Sequence, residues 1–235
     1  MKLDEALKSL FPAGCSVRTE GNVVLGEARV GTRGEAVAAV LGTTDNAFIG
    51  LEEILALGEG LLDVLRDHPG RPVVLLVDNA GQRMALREEL LGLFEYIANL
   101  AALQDLARRR GHKILAVVYG NSVAGGFIAC GMLADRICAL ADARTSVMNL
   151  ASIARVTRLS QDFLEELSKT LPVFAPGLQP FFKMGGIHEI WDADHAQRLE
   201  AALAACSPQD ERAALGRERA GRTLARDIMD RVASA

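Results

Sequence analysis

The chain has 235 residues, half of them hydrophobic, enough to bury the core of one large domain or two small ones. Its formal net charge of −4 leaves no basic surplus to bind phosphates, so nucleic acid is excluded as an expected partner. Cys15, Cys130, Cys138 and Cys206 are widely spaced, and His68, His112, His188 and His195 do not stand at metal-ligand spacings. Reduced thiols in a cytoplasmic protein without a metal site are therefore expected.

Residues 1 to 12 carry charges inside every apolar run, which a signal peptide would not tolerate. Leu3, Ala6, Leu7 and Leu10 share one helical face, stopped by Pro12 and Gly14; this predicts a short docking arm or cap. Val23 to Val30 and Glu35 to Leu41 read as a hairpin about Gly31-Thr32-Arg33-Gly34. A helix is predicted from Gly50 to about Asp67, ended by His68-Pro69-Gly70. Pro72 to Val77 is a continuous apolar run, the pattern of a strand covered on both faces, and Asp78 to Gln82 reads as the turn after it. Met84 to Arg110 reads as one long helix whose terminal arginines compensate its dipole.

Ile114 to Tyr119 predicts a second buried strand, broken by Gly120-Asn121, and a buried helix follows Gly125-Gly126. The uncharged run Ile114 to Ala134 is long enough to span a bilayer on count alone, but the glycines interrupt it, so no membrane span is expected. Ile137 to Ala139 and Ser146 to Met148 read as strands of a further layer. Ala151 to Arg158 and Gln161 to Thr170 read as helices before a proline-broken loop, Thr170 to Pro180, long enough to be functional. Ile187 to Trp191 is read as extended, and the chain from Asp194 to Val232 as helix with a break at Ser207-Pro208. The expected division is an N-terminal arm over 1–15, a main domain over 16–206 and a helical extension over 207–235.

Alternating strands and helices predict an α/β fold with two strand-to-turn junctions, Val77 to Gln82 and Tyr119 to Gly126. If the two strands are neighbours, both junctions deliver backbone donors to one site, where open α/β sheets place ligands. Gly125 and Gly126 at a helix start suit an oxyanion, because unpaired N–H groups and a partial positive charge meet there. Such a pair serves tight strand–helix packing equally well. A second reading takes Gly120-Asn121-Ser122-Val123-Ala124 as an approximate G-x-S-x-G elbow, with Ser122 as nucleophile of a serine hydrolase, His188 or His195 as base and Asp142 or Asp162 between. Otherwise His188 and His195 are expected in loops or at the surface, Trp191 and Phe181-Phe182 in the core or an interface, and the arginines from Glu211 to Arg231 on a solvated face.

The run GNSVAGGFIACGMLADRICALADARTSVMN resembles the second half of crotonase-superfamily domains. More closely, VDNAGQRMALREELLGLFEYIANLAAL, with ARVTRL and FFKMGGIHEIW, is similar to the γ subunit of biotin-independent malonate decarboxylase, in order from about Asn46 to Ala204. The resemblance implies the ββα superhelix shared by the Clp protease and crotonase families, in a carboxyltransferase-type subunit. It further implies a β subunit of the same fold as partner, and an acyl-carrier subunit whose phosphopantetheine-type arm presents the malonyl thioester. Neither biotin nor a directly bound prosthetic group is expected. Mapped residue by residue, the amide donors of such relatives fall on Gly125-Gly126 and on Gly81-Gln82-Arg83; Gln82 would also hydrogen-bond a carboxylate and Arg83 pair with one, or both simply start a helix. A scaffold role, completing the partner's site, is the non-catalytic alternative. Clp relatives carry their serine near Ala124 or Gly125 and a histidine after the next strand, where this chain has Ser146 to Leu150 and no histidine.

Overall fold

The structure, a computed structural model, describes residues 1–172, 175–221 and 225–235. Helix α1 (Leu3–Leu10) leads into strands β1 (Cys15–Glu20), β2 (Val23–Val30) and β3 (Ala36–Thr43). These form an antiparallel meander, in register from Cys15 opposite Ala28 and from Val23 opposite Thr43. Strand β1 escaped sequence reading because it is an edge strand with almost no buried residue, so it carries no apolar signal. Next come β4 (Ala47–Ile49), helix α2 (Leu51–Asp67) and strand β5 (Val73–Val77), then β6 (Asn79–Gln82), α3 (Leu86–Leu90) and α4 (Leu93–Arg109). The predicted single helix over 84–110 is thus two, because Gly92 adopts φ 80° and breaks the hydrogen-bond ladder between them.

Strand β7 (Ile114–Val118) follows, then β8 (Asn121–Val123), helix α5 (Ala124–Cys130), β9 (Arg136–Leu140) and β10 (Arg144–Ser146). The remaining elements are α6 (Leu150–Thr157), α7 (Gln161–Thr170), α8 (Leu178–Lys183), β11 (Glu189–Trp191), α9 (His195–Ala204), α10 (Arg212–Glu218) and α11 (Arg226–Ala233). The helical tract expected from Asp194 breaks at Ser207-Pro208 as expected, between α9 and α10, and among the described residues it is divided again between α10 and α11. Of the predicted functional loop over Thr170 to Pro180, Val173 and Phe174 lie outside the described residues, and Leu178 to Pro180 open α8.

Among the described residues, seven strands form one sheet in the order β1-β2-β3-β5-β7-β9-β11, parallel from β3 onward. The run Ile137 to Ala139 is in the main sheet, beside β7, and not in a further layer. Strand period explains the core. Val73, Leu75 and Val77 of β5, with Ile114, Ala116 and Val118 of β7, face α2, α4 and α5; Val74, Leu76, Leu115 and Val117 face α1 and α9. Each fully buried aliphatic side chain contributes roughly 1.5–3 kcal/mol relative to exposure, and every residue of both strands is buried. The arginines at the end of α4 do serve its C-terminus, and Arg108 adds an ion pair to Asp135 at 2.6 Å. Asp135 in turn accepts the Ile114 N–H at 2.8 Å, fixing the start of β7.

Two short parallel pairs project beyond the C-terminal ends of β5 and β7: β4 with β6, and β8 with β10. The expected turns over 78–82 and at Gly120-Asn121 give way to β6 and β8, and β10 begins two residues before the strand expected from Ser146. Those segments are strands of three or four residues, rich in Asn, Gln, Ser and Gly.

Candidate active site

Val73 pairs with Ile114 and Val77 with Val118, so the two junctions emerge side by side, as expected for neighbouring parallel strands. They are tied together by buried polar groups. Asp78 Oδ1 accepts the Asn121 N–H at 2.7 Å, and its Oδ2 accepts the Asn46 N–H at 3.1 Å. Thr43 Oγ1 accepts the Asp78 N–H at 3.2 Å, and the buried Tyr119 hydroxyl donates to Thr43 O at 3.1 Å. Burial pushes the Tyr119 hydroxyl above its ordinary range, so it stays protonated as that donor. Asp78 and Thr43 were not singled out as site residues from sequence; the available signal was a polar residue at the C-terminal end of a buried strand, Thr43 closing β3 and Asp78 following β5.

Ala124, the first residue of α5, has φ 45°. For a residue with a Cβ, that left-handed conformation costs roughly 1 kcal/mol, and such strain gathers at functional turns. Gly125 and Gly126 then form the first helical turn against β6. A Cβ on Gly126 would lie 2.5 Å from Asn79 Oδ1 and 2.9 Å from Gly81 Cα, so only glycine fits without moving backbone. The Gly126 amide is one of the first-turn donors that a helix leaves without an intrahelical acceptor.

The five candidate residues are thus brought within one small region, but not all their amides stand open. Gln82 Oε1 accepts the Gly125 N–H at 2.9 Å, and Asn79 Oδ1 accepts the Gly81 N–H at 3.2 Å. The Arg83 N–H donates to Ile49 O at 2.8 Å beside the β4–β6 pair. The Arg83 guanidinium donates to Glu53 at 2.8 Å and to Phe48 O at 3.2 Å, and lies 3.6 Å from the buried Glu88. Both carboxylates serve the start of α2, where Glu53 accepts the Gly50 N–H and Glu88 the Leu51 N–H. Arg83 is an anchor for that helix start, with its charge already balanced.

Ser122 is fully buried, its hydroxyl 2.8 Å from Thr145 Oγ1 and donating to Arg144 O at 3.4 Å. No histidine is among its hydrogen-bond partners. His188 lies in the loop before β11, one of the two expected places, but is buried there: its Nδ1 accepts the Ile137 N–H at 3.1 Å, tying that loop to β9. Burial, then the nearby Arg136 charge, lowers its pKa to about 4. His195 Nδ1 is 2.6 Å from Ser9 Oγ, between α9 and α1. The geometry therefore gives the serine-hydrolase reading no base. Cys130 on α5 is no nucleophile either, since burial pushes its thiol up to about 12.

Trp191 and Phe181 are core residues, as expected. The arginines of the C-terminal tract are not all on a solvated face: Arg219 lies 3.7 Å over the Phe182 ring and donates to Phe182 O and Ile187 O, both at 2.9 Å. A cavity of about 470 Å³ lies among Met132, Phe181, Met184 and Met229, toward α10 and α11; none of the five candidate residues lines it. Among the described residues there is no cluster of three or more His, Cys, Asp or Glu suited to a metal, and no helix long and apolar enough to cross a membrane.

This architecture is shared with solved structures. A Pseudomonas malonate decarboxylase hetero-tetramer in complex with coenzyme A contains a chain that superposes with a TM-score of 0.78 at 21% identity, covering 97% of each chain. The transcarboxylase 12S core gives 0.71 at 20% identity, over 86% of this chain and 41% of that one. At these identities the likeness establishes the fold alone, a mixed α/β architecture shared with both. In sequence, the malonyl-S-ACP:biotin-protein carboxyltransferase MADD of Malonomonas rubra is 38% identical over 123 residues. That match takes in 51% of this chain and spans 42% of the relative's length. A family model described as malonate decarboxylase gamma subunit matches residues 44–235, from the end of β3 through both junctions and the C-terminal helices. With the greater part of the chain matched, and the strained turn inside the matched region, the protein belongs to the malonate decarboxylase gamma subunit family.

Proposed function

We propose that this chain is one half of a two-subunit site, completed by a β subunit of the same fold, that decarboxylates a malonyl thioester carried on the phosphopantetheine-type arm of an acyl-carrier subunit. The bond between the α-carbon and the carboxylate breaks, carbon dioxide leaves, and the electron pair is shared between the α-carbon and the thioester oxygen. Protonation of that carbon gives the acetyl thioester. The residues of this chain that take part are the main-chain amides of Gly125 and Gly126, aimed at the oxygen on which negative charge grows. Rigid donors of this kind need no reorganisation, and each contributes about 3 kcal/mol of barrier lowering. Gly81 and Asn79 form the wall that sets the depth of the turn, and Arg83 anchors β6 beneath it. Nothing in this chemistry asks for biotin.

The observation that supports the reading is the Gly125 N–H at the start of this strained turn, whose acceptor is the carboxamide oxygen of Gln82 at 2.9 Å, an oxygen of the carbonyl type. The partner is supported by the surroundings. Phe48, Leu86, Leu90, Phe94 and Ile128, on β4, α3, α4 and α5, and Met84 between β6 and α3, are each more than half exposed. Large apolar side chains gathered around one site mark a surface to be covered.

Reconstitution with the β and carrier subunits tests the proposal by carbon dioxide release from malonyl thioester. Omitting this chain is expected to abolish release. Gly126→Val is expected to lower it by about a hundredfold or more while the subunits still co-purify. Undiminished release with the valine variant would instead assign this chain the scaffold role.

A further inference from the structure

Gln82 is the one side chain from β6 that reaches the amide of Gly125. Its Oε1 is an amide carbonyl oxygen, an acceptor of the same kind as a thioester carbonyl, and it occupies the position that the functional reading above gives to the substrate oxygen. The fit depends on residue 125 having no side chain: a Cβ there would come 2.8 Å from Gln82 Oε1 and 3.1 Å from its Cδ. Gln82 itself is only partly buried, while Asn79 and Gly81 beside it are buried, so the side chain has a way out and its neighbours do not. The strand beneath stays in place when it swings, because Arg83 N–H bonds to Ile49 O and the Arg83 guanidinium to Glu53.

We propose that Gln82 is a displaceable stopper. Without substrate its carboxamide satisfies the Gly125 donor; the thioester oxygen binds by displacing it. This rests on the functional reading above. Because the stopper must leave before substrate binds, its removal acts on binding and not on the step after it.

Two variants and two measurements test this in the full chain. Gln82→Leu removes the acceptor at similar size. In the reconstituted complex it is expected to raise kcat/KM for malonyl thioester about three- to tenfold, carried by a fall in KM, the scale of one neutral hydrogen bond. Gln82→Glu places a charged acceptor on the same amide and is expected to raise KM about tenfold or more. In the chain without substrate, hydrogen exchange at the Gly125 amide should accelerate about tenfold in the leucine variant, with the amides of β5 and β7 unchanged. Exchange that does not accelerate overturns the stopper directly. A tenfold fall in kcat for Gln82→Leu overturns it too, by making Gln82 a substrate contact. Accelerated exchange with KM unmoved overturns it through the reading it rests on, since substrate then does not use Gly125. The Gly126→Val result separates that case, as it reports on the turn independently of Gln82.

Discussion

Strands β7 and β8 are separated only by Tyr119 and Gly120, yet they are held by different forces. All five residues of β7 are buried, and the strand pairs with β5 on one side and β9 on the other. Strand β8 has three residues, of which only Ser122 is buried, and it pairs with β10 alone in the small outlying sheet. The same contrast separates β5 from β6. Apolar burial holds the central sheet, while a few hydrogen bonds to Asp78, Thr43 and Asn79 hold the strand pairs that carry the candidate site. The consequence is a division of labour in which stability and site geometry are set by different residues, and substitutions can pull them apart.

The largest effect on stability is expected in the central sheet. Leu115 is fully buried between the α1 and α9 side chains and its strand neighbours, so Leu115→Ala should cost about 2–5 kcal/mol in urea unfolding. Turnover per folded complex should remain close to that of the natural chain. A loss of turnover matching Gly126→Val, in protein shown to be folded, would erase the distinction between the two regions.

Next in size is a pH effect at the sheet's other edge. The His188 pKa is lowered from 6.5 to about 4, mainly by burial. Between those values the unfolded chain binds the proton and the folded chain does not, so stability falls as pH drops from about 6.5 to about 4 and loses nothing further from this group below that. The total is roughly 3 kcal/mol by proton linkage. In His188→Gln, whose side-chain oxygen can still accept the Ile137 N–H, the stability difference from the natural chain should shift across that window. Parallel pH profiles for the two proteins would remove His188 as the cause.

The same division explains what could be read from sequence. Val73 to Val77 and Ile114 to Val118 were legible because complete burial on both faces leaves an unbroken apolar run. Of the four short strands around the site only β10 was, two residues late; Asn79, Gln82, Asn121 and Ser122 have the composition of turns, and ladder bonds leave no hydrophobic period. Gly125 and Gly126 were visible as a pair, but their tight approach to Gly81 and Asn79 depends on residues more than forty positions away. His188 does lie in a loop, just before β11, but not at the surface; its burial follows from the β9–β11 pairing and from Arg219, which donates to His188 O at 3.1 Å. The closed state of the Gly125 amide, set by one side-chain rotamer of Gln82, leaves no sequence signature.

The smallest expected stability change lies at the hinge between the regions. Asp78 ends β5 and, 8% exposed, accepts one backbone N–H from the segment before β4 and one from β8. Asp78→Asn keeps the shape but turns one oxygen into an NH2 group, so one of those two amides faces a donor and loses its partner. An orphaned buried amide costs about 1–3 kcal/mol, less than the leucine deletion in the sheet, because this site lies nearer solvent. Its effect on turnover should exceed its share of stability: with the Asn121 N–H released, β8 and the strained Ala124 are free to shift, and Gly125 and Gly126 move with them. A tenfold or greater fall in turnover, with unfolding shifted by only about 1–3 kcal/mol, is the expected pair of results. Unchanged turnover beside that same stability loss would mean the Ser122–Thr145 bond and the β8–β10 pairing hold the turn without Asp78, and would move the control of site geometry from the sheet end to the outlying strands.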